Sequence, residues 1–187
     1  MIKLSDITGS NTISDDMCST DFNVYRASHD YSWIKFESKD DFVVLAGEGS
    51  GGAFLAYGSG EVEVRPILHV TSEGSAGKIA SNLDELLGIL VSLPFWQDIL
   101  KFSGNGDLNE MRKTAAIMQR EYEKEYADIL EACDRLRDAL PVPPLPDAVQ
   151  TFHDAIHGTD RRIVAQDGYC YQSLFNCFKS SDNSNWR

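Results

Sequence analysis

His153-Asp154-Ala155-Ile156-His157 sets two imidazoles at i and i+4. On a helix that spacing brings both rings to one face, close enough to share a metal ion. The pair lacks the glutamate of H-E-x-x-H, so a metal-dependent hydrolase centred on His153 and His157 needs a third ligand from elsewhere, such as Cys170 or His69. His29-Asp30 offers part of a triad, but no serine stands in a G-x-S-x-G elbow and the thiols lack a catalytic frame. Cys18, Cys133, Cys170 and Cys177 contain no C-x-x-C pair, which argues against a zinc ribbon and a compact disulfide framework. These residues predict no catalytic set and no cofactor.

Gly47-Glu48-Gly49-Ser50-Gly51-Gly52 matches the G-x-G-x-x-G fingerprint of dinucleotide sites. A phosphate cradle requires that the glycine turn open a helix, because the helix N-terminus supplies the N–H groups that hold the anion. Here Ala53-Phe54-Leu55-Ala56-Tyr57 follows, which reads as a strand. The glycines therefore predict a turn between strands. Gly74-Ser75-Ala76-Gly77-Lys78-Ile79 fails as a P-loop, since its glycines stand too close together and Ile79 occupies the place of the magnesium-binding hydroxyl. Lys78 reads as a surface residue near a helix start.

The chain has 29 acidic and 17 basic residues among 187, a formal net charge of -12. That field repels phosphate backbones and anionic lipid, and favours encounter with a basic protein. Glu37, Asp40, Asp41, Glu48, Glu61, Glu63 and Glu73 fall at strand ends or on the polar face of the strands, where they could meet such a partner. The polar opening residues and the lack of a long apolar run predict neither a signal peptide nor a membrane span, and so a cytoplasmic protein.

The elements that must position these residues read as an α+β domain over 21–187, preceded by a polar segment, 1–20, that is loose or docked at an edge. "NVYRA", "WIKFE", "FVVLA", "AFLAY", "EVEVR" and "ILHVT" are short β-type runs separated by turn residues, an antiparallel meander. Alternation in "EVEVR" predicts a sheet with one wet side. Ser81 or Asn82 caps a helix with Leu83, Leu86, Leu87, Leu90 and Val91 on its apolar stripe, and Pro94 opens another carrying Phe95, Trp96, Ile99, Leu100 and Phe102. From Asp107 to Leu140 no Gly or Pro interrupts a helical stripe. At 1.5 Å per residue this helix would run roughly 50 Å, so it must bend or meet a partner. "PVPPLP" ends it, a helix over 147–157 follows, and Asp167-Gly168 marks a hairpin in the tail.

"FVVLAGEGSGGAFLAY", the charged run after it and "VTSEGSAGKIASNLDELLGILV" together resemble the SUKH superfamily. These are bacterial toxin-immunity proteins grouped with a yeast regulator of cell-wall glucan synthesis. The resemblance spans about Asp41 to Phe102. The chain differs in lacking the proline-containing helix that usually opens the family and in adding the helix after Asp107. The resemblance implies a non-catalytic α+β protein that binds and neutralises a cognate toxin, often a nuclease, in the cytoplasm. It carries over no catalytic residues. A regulatory or scaffold module that docks through the long helix, and the hydrolase on His153 and His157, are the competing readings.

Overall fold

The computed structural model describes residues 1–165 and 167–186. Its chain is an α+β fold built on two antiparallel sheets. The smaller pairs β1 (Lys35–Phe36) with β6 (Ile163–Val164). The larger is a meander of β2 (Phe42–Gly47), β3 (Ala53–Tyr57), β4 (Ile67–Val70) and β5 (Ala76–Ala80), each strand hydrogen-bonded to the next.

Both faces of the meander are covered, so the expected wet side does not exist. Period-2 alternation sends Phe54 and Ala56 of β3 to one face and Ala53, Leu55 and Tyr57 to the other. The first face packs under α3 (Leu83–Ser92) and α4 (Trp96–Lys101); the second meets Tyr31, Ile34, Phe36 and Ile163. "EVEVR" misled because Val62–Val64 is a 3-10 turn, tied by Arg65 N–H to the Val62 carbonyl at 3.3 Å. Pro66, which brings no N–H donor to a ladder, follows directly. "NVYRA" is also a 3-10 turn, over Val24–Arg26, and the true fourth strand is "AGKIA", which places Lys78 on β5 and not at a helix start.

Residues 1–20 are not loose. They form α1 (Leu4–Thr8) and α2 (Asn11–Cys18), whose Ile2, Ile7 and Met17 are fully buried in the main core. Three apolar anchors in a polar stretch suffice once a neighbour supplies the other wall, and here α2 packs on α6 (Ala127–Ala139). Asp16 accepts from Arg135 across that contact at 2.6 Å.

The long helical stripe bends. α5 (Leu108–Glu125) and α6 meet at Tyr126, which leaves the helical region at φ -131° and ψ 43°. No Gly or Pro marks the break, because its cause is tertiary: folding back lets Met111, Ala115 and Met118 share one core with Cys133, Leu136 and Leu140. The stripe is consequently buried in the chain's own core. α7 (Ala148–His157) begins on an Asp147 cap, whose carboxylate accepts the Gln150 N–H at 2.9 Å. The tail reverses at Gly168, φ 84°, with Gly168 N–H donating to the Ala165 carbonyl at 3.0 Å. Gln166, inside that expected hairpin, lies outside the described residues.

Candidate functional site

The glycine run is the β2–β3 turn. Gly51 adopts φ 99°, its N–H donates to the Glu48 carbonyl at 3.3 Å, and Glu48 N–H donates to the Gly52 carbonyl at 3.0 Å. This geometry directs the Glu48 side chain inward, across Gly52. A Cβ at Gly52 would strike the Glu48 carboxylate and come within 2.7 Å of the Val70 carbonyl. The glycine is thus required by close approach rather than by phosphate.

Glu48 is only 3% exposed and His69 only 2%, and His69 Nε2 stands 3.5 Å from Glu48 Oε2. His69 reaches this depth because it alternates in phase with Ile67 on β4, facing the helices. Its ring sits 4.8 Å from that of Phe54 and 4.9 Å from that of Trp96, edge-on to the latter. Among the described residues neither imidazole nitrogen has a hydrogen-bond partner, and the approach of Nε2 to Glu48 is a close polar contact that becomes an ion pair when the imidazole is protonated. Glu48 is better served: Ser50 Oγ donates to Oε1 at 2.5 Å and Gln97 Nε2 to Oε2 at 2.6 Å. Burial alone would raise its carboxyl pKa, but the neighbouring imidazole and the Ser50 hydroxyl hold it below the usual glutamate value.

Above this pair opens a cleft of about 500 Å³ between the β4–β5 turn, α4 and the strap 174–178. Glu48, His69 and Trp96 form part of its lining; Glu73, Gln97, Asp98 and Lys101 bring polar heads, and Leu100, Leu174 and Phe178 bring apolar surface. The strap is held by its main chain. Gly104 N–H donates to the Phe178 carbonyl at 2.8 Å, Asn105 N–H to the Asn176 carbonyl at 2.7 Å, and Asn176 N–H to the Leu100 carbonyl at 3.2 Å. Asp98 is raised above the usual aspartate value by burial and by Glu121, against the pull of Lys101. Asp21 is raised likewise by burial and by Glu48. Carboxylates here crowd one another without matching cations.

The seven acids singled out from sequence do not share a face. Glu48 is the correction: the turn buries it, so it is no surface residue. Glu73 is exposed on the cleft rim. Asp40 pairs with Arg161 at 2.5 Å beside the small sheet, where Glu37 N–H donates to the Arg162 carbonyl. Glu63 accepts the Leu4 N–H at 3.2 Å, while Asp41 and Glu61 are exposed. His153 and His157 do share a helix face, rings 4.4 Å apart. Both stack against Phe175, and the nitrogens of His153 meet the Gly106 carbonyl and Asp154, each at 3.1 Å. Among the described residues no group of three or more His, Cys, Asp or Glu side chains is placed to hold a metal ion. The histidine pair instead seats the start of the strap. His69 is the cleft residue that sequence reading undervalued, and its phase with Ile67 was the available signal.

Comparison of the chain with family models, with curated proteins and with solved structures finds no match. No helix among the described residues is long and apolar enough to cross a membrane.

Proposed function

We propose that this chain is an acidic immunity protein of the SUKH type, which acts in the cytoplasm by occluding a basic polymorphic toxin such as a nuclease and performs no catalysis itself. The observation that carries this reading is the order of elements over 42–92: an antiparallel meander with a glycine turn, running into a helix capped by Asn82. That is the arrangement the sequence resemblance implies. The charge of -12 supports a basic partner, since opposite fields steer association and reject wrong partners. Most of the α5–α6 stripe, Met111, Ala115, Met118, Cys133, Leu136 and Leu140, packs in the chain's own core, which supports this reading over a module docking through that stripe.

The test is co-expression with the toxin domain encoded beside its gene. Protection of growth, with a complex whose affinity falls as salt rises, is the expected result. Absence of protection, together with turnover of a small substrate that a single substitution abolishes, overturns it.

A further inference from the structure

The cleft over Glu48 and His69 contains more negative charge than its own residues balance, and its deepest polar group is unsatisfied. Glu48, Glu73 and Asp98, the last shared with the neighbouring hollow beside Glu121, line it against Lys101 and the His69 imidazole. The Lys101 ammonium lies 5.4 Å from the Phe102 ring centroid and makes no salt bridge among the described residues. The Asp98 carboxylate accepts no hydrogen bond from any described residue. At the floor, His69 is buried with Nε2 3.5 Å from Glu48 Oε2 and with no hydrogen-bond partner on Nδ1 among the described residues. The donor covering Glu48 Oε2 is the amide of Gln97, a neutral side chain on an otherwise exposed residue. An amide there stands where a cation would bind more strongly, because hydrogen bonds between ionised groups are roughly twice as strong as neutral ones.

We propose that this cleft is the partner-recognition pocket and that it receives one arginine side chain of the basic protein partner. The guanidinium displaces the Gln97 amide from Glu48 and bridges towards Asp98, with Glu73 at the rim. Its planar fork of donors suits two carboxylates approached from one side. The methylene stem lies along Leu100, Leu174 and Phe178, which is 48% exposed. Burial, with Glu121 nearby, raises Asp98 against the pull of Lys101, a cost that a further cation in the cleft relieves. This assignment rests on the reading of the chain as a binder of a basic protein.

The probe is acetyl-Gly-Arg-Gly-amide, with the citrulline peptide as its neutral isostere, titrated at millimolar concentration while the Trp96 indole and Gln97 side-chain signals are followed by NMR. The expected result is saturable shifts at both signals with the arginine peptide and none with citrulline. The Asp98→Asn/Glu73→Gln variant weakens binding roughly tenfold or more, while Glu37→Gln/Glu61→Gln, acids outside the cleft, leave it within about twofold. Equal shifts with citrulline, equal loss in the outer pair, or no shift at all overturns the pocket. The two readings fail separately. Peptide binding without growth protection removes the immunity function and keeps the pocket; full protection by Asp98→Asn/Glu73→Gln removes the pocket and keeps the function.

Discussion

Substituting the buried pair separately and together isolates what the 3.5 Å contact between Glu48 and His69 contributes. At an effective dielectric of about 20, two unit charges at this distance attract by about 5 kcal/mol, and breaking a buried pair from one side costs about 3–5 kcal/mol. Glu48→Gln keeps an acceptor for Ser50, and the exposed Gln97 amide can turn to suit the new group. His69→Phe keeps a ring against Phe54 and Trp96. With the imidazole protonated, each single variant is expected to lose about 3 kcal/mol in urea denaturation, and the double variant much less than the sum, a coupling of about 3 kcal/mol. The sign with pH follows from Glu48. Its folded-state pKa lies below the ordinary value of 4.5, so its contribution is fully present above that value. It is lost as pH falls through the lower, folded value. Asp21 and Asp98 enter all four proteins and largely cancel from the coupling. A coupling below about 0.5 kcal/mol at every pH of the series, or one unchanged as Glu48 is protonated in acid, would show that the two groups do not act as a charged pair.

Gly52→Ala is expected to destabilise the fold by about 2 kcal/mol or more, because the added methyl meets the Glu48 carboxylate and the Val70 carbonyl; Gly49→Ala, with open space around it, stays within about 0.5 kcal/mol by the same denaturation assay. Among the thiols, exposed Cys170 and Cys177 should react promptly with a disulfide reagent in the native protein. Buried Cys133, whose thiol is pushed up to about 11 by burial, should react only on unfolding; modification of Cys133 at the same rate would refute its placement in the core.

Where one residue pattern has one physical outcome, the sequence was readable. Asn82 followed by Glu85, with leucines at helical spacing behind it, became an N-capped α3 whose carboxamide accepts the Glu85 N–H at 2.9 Å. "AFLAY" and "FVVLA" became adjacent strands with the glycine turn between them. Elsewhere a local signal was outweighed by a distant one. Alternation in "EVEVR" gave way to the turn before Pro66, and the uninterrupted helical stripe broke at Tyr126 so that both halves could reach the same core. The site was less legible than the fold. Acids written among glycines read as solvated, and only the closure of the β2–β3 turn reveals that Glu48 points inward to meet a histidine two strands away.

The strap that walls the cleft is anchored through the amide and carbonyl of Asn176 and the carbonyl of Phe178, while the Cys177 side chain is exposed and the half-exposed Phe178 lines the cleft. Anchorage of this kind is indifferent to side-chain identity. Cys177 and Phe178, whose side chains make none of these bonds, can therefore be exchanged for other residues that keep the backbone N–H without removing the anchorage. Descendants of this chain can retune what they recognise by drifting at these two adjacent codons.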